Sequence, residues 1–219
     1  MSILIILEGN DGAGKTGQIK KLSESLTELG IDHITTREPG GCKGAEDIRN
    51  LLVTGDKDRW SPMSEVMLFN AARIAHVEET ILPALDKQTI VLCDRFLLST
   101  IAYQTCDKVS AEKIIDLHND YCGLLPDFTI LLDIDPEVGL ARSGERLAET
   151  NSDEDRFEGR GIEYHRAVRD RYHAYLSATT DRSVVISTDG DEEQVADRIF
   201  EALKKTYPHL FDVKMAPTP

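Results

Sequence analysis

The run Gly9-Asn10-Asp11-Gly12-Ala13-Gly14-Lys15-Thr16, a match to GxxxxGK[ST], constrains this chain more than any other segment. Residues 2–7 before it are short, apolar and rich in isoleucine, and residues 15–29 after it are amphipathic at helical spacing. A strand that feeds such a loop into a helix lets backbone N–H groups curl around phosphate oxygens, with the positive end of the helix behind them. Lys15 is then placed for β- and γ-phosphates and Thr16 for a Mg2+ ion. A nucleotide-binding P-loop is the reading, with Asn10 through Gly17 as its ATP-binding residues.

The rest of the chain fits around that unit. Apolar runs at 2–7, 32–37, 89–94, 128–133 and 183–188 read as strands. Between them, helical patterns fall at 15–29, 45–53, 63–86, 98–104, 111–122, 136–146, 159–179 and 191–206. This alternation predicts an α/β fold, a five-stranded parallel sheet flanked by helices in three layers. Each strand ends on polar or glycine-rich residues: Gly9–Thr16, Arg37 to Gly41, Asp94-Arg95, Asp133 to Pro136, and Asp189-Gly190. Ligands in such sheets sit beyond the carboxyl ends of the strands. A single domain is expected over 1–206, with a mobile lid at about 142–157 and a C-terminal tail at 207–219 that holds three prolines.

Composition narrows the function classes. A net charge of −14 over 219 residues speaks against long nucleic acid as a partner, since that affinity rests on neutralising phosphates. The opening residues have no basic region and Glu8-Gly9 interrupts the apolar run, so they read as a strand and not as a leader. No run is long enough for a membrane span. The four cysteines are widely spaced, without CxxC, which favours reduced thiols over disulfides or zinc. The chain is expected in the cytoplasm, away from membranes and nucleic acid.

Three further groups carry chemistry, each with a plainer alternative. Asp94 at a strand end can hold the Mg2+ shell while Arg95 clamps an acceptor phosphate, or the two form a surface ion pair. Phe69 and Arg73 share a helical face and can stack on a base and read its edge; a core phenylalanine with an arginine at the rim has the same spacing. Arg142, Arg146 and Arg156 bracket a polar segment and can fold over ATP during transfer, or pair with Glu145 and Glu149 on a solvated face. No role is assigned to any of the six histidines.

Taken together these residues resemble the thymidylate kinase family from Ile3 to about Phe200. The strings that carry the likeness are Glu8 to Thr16, Thr36-Arg37-Glu38-Pro39-Gly40-Gly41, Leu68-Phe69-Asn70-Ala71-Ala72-Arg73, and Asp94-Arg95 followed by Leu98-Ser99-Thr100-Ile101-Ala102-Tyr103-Gln104. Asp155-Arg156-Phe157-Glu158, Tyr164-His165 and Val168-Arg169 add to it. The resemblance implies a nucleoside-monophosphate-kinase fold, transfer of the γ-phosphoryl of ATP to dTMP, Mg2+ as cofactor and a homodimer. It implies that Asp11 accepts from the sugar 3′-hydroxyl and that Arg37 and Arg95 grip the 5′-phosphate, with Glu38 also at the acceptor. Phe69 would stack on thymine, Arg73 would read its edge, and Ser99 and Thr100 would line the base pocket. Tyr103 would crowd a 2′-hydroxyl and Gln104 would close the pocket. With Gly12 in the P-loop and arginines in the lid, the chain is similar to the bacterial type.

Four positions depart from the family pattern: Gly17 for a second threonine, Phe96 after Asp94-Arg95, Cys42 after the glycine pair, and Thr105-Cys106-Asp107 after Tyr103-Gln104. These leave phosphoryl transfer in place and bear on base selectivity. Two other functions share the motifs: a kinase for another deoxynucleotide or nucleoside, and a regulatory ATPase. The second leaves Arg37, Arg95 and the base-pocket residues without a task.

Overall fold

Strand β1 (Ile3–Glu8) is buried along its whole length, which only a central strand covered on both faces permits. The computed structural model, which describes residues 2–150 and 156–211 without the side chains of 146, 148–150 and 158, bears this out. The sheet is parallel throughout, in the order β2 (His33–Arg37), β3 (Ile90–Asp94), β1, β4 (Phe128–Asp133), β5 (Ser183–Ser187). The apolar strands β1, β3 and β4 hold the middle, and the more polar β2 and β5 form the edges.

Alternation along β1 splits the core in two. Ile3, Ile5 and Leu7 face α1 (Lys15–Glu28) through Ile19, Leu22 and Leu26, and α9 (Glu192–Thr206) through Val195, Ile199 and Leu203. Leu4 and Ile6 face the other layer, where α3 (Pro62–His76) contributes Val66. There α5 (Leu97–Gln104) adds Leu97 and Ile101, and α6 (Ala111–Tyr121) adds Ile114. Each such side chain, fully buried, is worth about 1.5–3 kcal/mol, so both layers are firmly seated. The remaining helices are α2 (Lys43–Val53), α4 (Leu82–Asp86), α7 (Pro136–Thr150), α8 (Ile162–Ala178) and α10 (Pro208–Phe211). Among the described residues no helix is long and apolar enough to cross a membrane.

Three expectations are corrected. The helical run 63–86 is interrupted by a π-helical turn over Val77–Ile81, just ahead of Pro83, whose missing N–H cannot continue the ladder. Helix α7 runs on to Thr150, four residues past the expected end at 146; Leu147, Ala148 and Glu149 are good helix formers. Residues 207–211 are not tail, because Tyr207 and Leu210 are buried in the α9 layer and the Tyr207 hydroxyl donates to the Asp127 carbonyl at 3.0 Å. Residues 212–219 lie outside the described residues.

Candidate active site

The sheet order reverses at β1, between β3 and β4, and the crevice at that point receives the P-loop. A cleft of about 550 Å³ opens there. Despite the net charge of −14, its walls carry the cations Lys15, Arg37, Arg49, Arg73, Arg95 and Arg142 against the carboxylates Asp11, Glu38 and Asp94. The local field therefore suits a polyanion.

At the P-loop end, Lys15 Nζ donates to the carbonyls of Gly9 and Asn10, both at 3.0 Å. Burial and the neighbouring Arg95 lower its pKa to about 8, against the pull of Asp94, Asp11 and Glu8. Thr16 Oγ1 donates to Asp94 Oδ2 at 3.0 Å, so β3 and the P-loop helix bring together the two residues expected at the metal. Gly12 has φ of 76°, and a Cβ there would lie 2.8 Å from Gly139 Cα in α7. No side chain fits at position 12 on this backbone. One turn beyond Gly139, Arg142 lines the cleft from α7.

Arg95 occupies the middle of the cleft, with its own backbone in the left-handed region at φ 69°. Its Nη1 donates to the Gly9 carbonyl and Ser99 Oγ, both at 3.0 Å, and its Nη2 to Asp11 Oδ1 at 2.5 Å. The Tyr103 hydroxyl donates to Asp11 Oδ2 at 3.0 Å. Burial pushes the Asp11 carboxyl up, but Arg95, Lys15 and the Tyr103 bond outweigh it and hold it below its ordinary value. Behind Arg95, buried Glu8 accepts from the Phe96 and Ser99 amides at 2.9 and 3.1 Å and from Ser99 Oγ at 2.5 Å. Burial raises the Glu8 pKa in spite of those bonds.

At the far end, α3 supplies Phe69 and Arg73. Arg73 is 1% exposed; its Nε donates to Glu38 Oε2 and its Nη2 to Thr100 Oγ1, both at 2.8 Å. Its Nη1 is buried with no hydrogen-bond partner. Glu38 also accepts from His76 Nδ1 at 3.2 Å, and Thr36 Oγ1 stands 2.7 Å from His76 Nε2. The guanidinium is thus braced on two sides at the wall of the cleft.

Of the residues anticipated from sequence, Asp11, Gly12, Gly14, Lys15, Thr16, Gly17, Arg37, Glu38, Phe69, Arg73, Asp94, Arg95, Ser99, Thr100, Tyr103, Gln104 and Arg142 all line this one cleft. Asn10 and Ala13 do not; Asn10 Nδ2 donates to the His165 carbonyl at 2.9 Å, holding the loop from behind. The Arg146 side chain lies outside the described residues. Arg156 corrects an expectation. It is 1% exposed and does not line the cleft, donating to the carbonyls of Leu52, Asp56 and Lys57 and pairing with Glu65 at 2.5 Å. A buried guanidinium needs a counter-charge and acceptors, and this corner supplies both.

Sequence reading gave no role to Arg49, Phe157, Glu8 or His76, although Glu8 and Phe157 lie in strings that carry the family resemblance. Arg49 lines the cleft and donates to the Pro39 carbonyl at 3.0 Å. The available signal was its place on the helix directly after the Arg37–Gly41 strand end. Phe157 also lines the cleft, 6.1 Å from the Phe69 ring, and only the fold brings it there.

Residues 7–199 match the family model for thymidylate kinase. The chain is 45% identical over 194 residues to the thymidylate kinase of Dinoroseobacter shibae, which covers 88% of this chain and 92% of that one. It is 41% identical over 202 residues to that of Pelobacter propionicus, covering 91% and 92%. A crystal structure of thymidylate kinase from Ehrlichia chaffeensis superposes with a TM-score of 0.74 at 30% identity, over 92% of this chain and 98% of that one. Similarity along nearly the full length thus agrees with the cleft's residues, and the chain belongs to the thymidylate kinase family.

Proposed function

We propose that this chain transfers the γ-phosphoryl group of ATP to dTMP, giving dTDP. The observation that carries the acceptor's identity is Arg73. Its guanidinium is fixed by Glu38 and Thr100, its Nη1 is unpartnered, and Phe69 stands one turn away on α3. A pyrimidine stacked on Phe69 would present its edge to this fixed guanidinium, whose charge favours a carbonyl there.

The other assignments follow from position. Arg95, with Arg37 and Arg49 at the cleft wall, grips the acceptor's phosphate; Arg37 now pairs with Glu46 at 3.0 Å and is half-exposed, free to exchange partners. Asp11 accepts from the sugar 3′-hydroxyl, and Tyr103, held by Asp11, fills the space beside C2′. Ser99, Thr100, Gln104 and Glu38 complete the base end. Lys15 and the P-loop amides hold the ATP phosphates, and Arg142 meets the charge that spreads over the migrating group. Catalysis is then positioning and electrostatics, with no covalent step on the protein.

The donor set at Thr16 and Asp94, one hydroxyl and one carboxylate, suits a hard cation that keeps waters and phosphate oxygens as its other ligands. Thr16 and Asp94 would hold Mg2+ there, and the ion would offset the negative charge of the ATP phosphates.

A cytoplasmic homodimer completes the reading. The four cysteines are all unpaired, as a reducing compartment favours. Exposed Leu51, Met67 and Tyr121 lie on α2, α3 and α6, and α3 packs against both of the other helices, so a second copy on this layer would cover apolar side chains.

A product assay with ATP and dTMP, dUMP, dCMP, dGMP or thymidine tests the proposal. dTMP should have the highest kcat/KM and thymidine none. Equal use of all acceptors, or ATP hydrolysis indifferent to dTMP, would overturn it.

A further inference from the structure

Glu65 stands one turn before Phe69 and two before Arg73 on α3, yet it does not line the cleft. It is 3% exposed. Its Oε1 accepts from Gln104 Nε2 at 3.0 Å, and Gln104 does line the cleft. Its Oε2 meets Arg156 Nη2 at 2.5 Å and Arg160 Nη2 at 3.4 Å. Both guanidinium groups lie 5.2 Å from the centre of the Phe157 ring, and that ring packs 6.1 Å from Phe69 and 6.1 Å from Tyr103. A single carboxylate therefore ties Gln104 in the cleft wall to the segment that carries Phe157, which lines the same cleft.

We propose that Glu65 is a positioning residue for acceptor recognition: it holds Gln104 in the cleft wall and docks Arg156, Phe157 and Arg160 against Phe69 and Tyr103. The inference rests on the assignment of this end of the cleft to the dTMP base. Its physical basis is valence and charge. A carboxylate has acceptor capacity for Gln104 and two arginines at once, whereas a glutamine has one acceptor oxygen and no charge. Glu65→Gln must give up one set of partners and leaves Arg156 buried beside a neutral group.

Full-length Glu65→Gln should raise the KM for dTMP about tenfold or more, the scale of losing a hydrogen bond to a charged group. Its kcat and its KM for ATP should stay within about threefold of the parent, because the P-loop is untouched. Combined with Gln104→Ala, it should add less than its effect on the parent, since the two changes share the Glu65–Gln104 contact and differ in the arginine contacts. A role in stability alone predicts a lower Tm with an unchanged KM for dTMP, and that result overturns the proposal, as does full additivity with Gln104→Ala. If Glu65→Gln does not fold, Arg156→Lys replaces it, keeping the buried charge and losing the fork of donors; the same KM rise is expected and an unchanged KM refutes. Phe69→Ala separates the two layers of inference. If it leaves the KM for dTMP unchanged, the base-end assignment itself fails; if it raises KM and Glu65→Gln does not, only the role of Glu65 fails.

Discussion

Gly17 lies in the first turn of α1 and lines the cleft where the ATP phosphates would run. A side chain there would not enter open space. A Cβ built on Gly17 falls 3.5 Å from Glu192 Cδ and inside the contact distance of Glu192 Oε1. The obstacle is the end of a flexible, exposed side chain at the start of α9, not backbone. Gly17→Thr should therefore combine a helix-propensity gain of about 0.3–0.5 kcal/mol with the cost of turning Glu192 to another rotamer, about 0.5–1.5 kcal/mol if it is left off-minimum. The net change should be small, between about +0.5 and −1 kcal/mol. In a Glu192→Ala background the obstacle is gone, and the same substitution should stabilise by the propensity term alone. Any hydroxyl contact with the α-phosphate would lower the KM for ATP with kcat constant, because that phosphate keeps its charge during transfer. Urea or thermal unfolding of the four proteins of the cycle, with ATP kinetics on each, measures both effects. A loss above about 2 kcal/mol for Gly17→Thr that Glu192→Ala does not relieve would refute the reasoning, because the crowding would then come from something other than Glu192.

Lys15, at about 8 in the free protein, should be driven back toward its ordinary 10.5 by bound triphosphate. ATP binding near pH 8 to 9 should then take up protons, and affinity should fall as pH rises through 8; calorimetry in buffers of different ionisation enthalpy, showing no buffer dependence, would contradict this. Arg142→Ala should lower kcat about a hundredfold or more with little change in dTMP binding, as for a charge met mainly in the transition state. Arg156→Ala should instead show a large fall in Tm, because breaking a buried ion pair costs about 3–5 kcal/mol. Tyr103→Phe loses the bond to Asp11, so the KM for dTMP should rise a fewfold while deoxyribose preference persists; Tyr103→Ala should relax that preference, as dTMP and its ribo counterpart would report.

The sheet and the cleft's inner rim were legible because their signals are local. Buried strands need continuous apolar runs, and ligand groups at strand ends sit beside them in sequence, as Gly9 to Thr16 and Asp94-Arg95 do. Arg156 was misplaced because sequence position beside a polar segment says nothing of where a long side chain turns. Its destination is set by Glu65 and three carbonyls about a hundred residues away. His76 escaped notice for a related reason. Its neighbours Glu38 and Thr36 come from β2 and the turn after it, and nothing in the spacing of α3 marks it as polar core. The closeness of Glu192 to the space a side chain at 17 would take is of the same kind, bringing the start of α9 to the first turn of α1.

The backbone of Arg95, at φ 69°, sits where L-residues other than asparagine, aspartate and glycine rarely rest. Holding it there costs on the order of 1 kcal/mol, which the bonds from its guanidinium to Asp11, Gly9 and Ser99 sustain. Glycine or asparagine at 95 would ease the turn and remove the cation. Either change would also strip Asp11 of its counter-charge, a larger loss than the strain relieved, so selection for heat resistance would keep the strained turn. Strain and charge are inseparable at Arg95, and a selection meant to harden this chain must find its gains elsewhere.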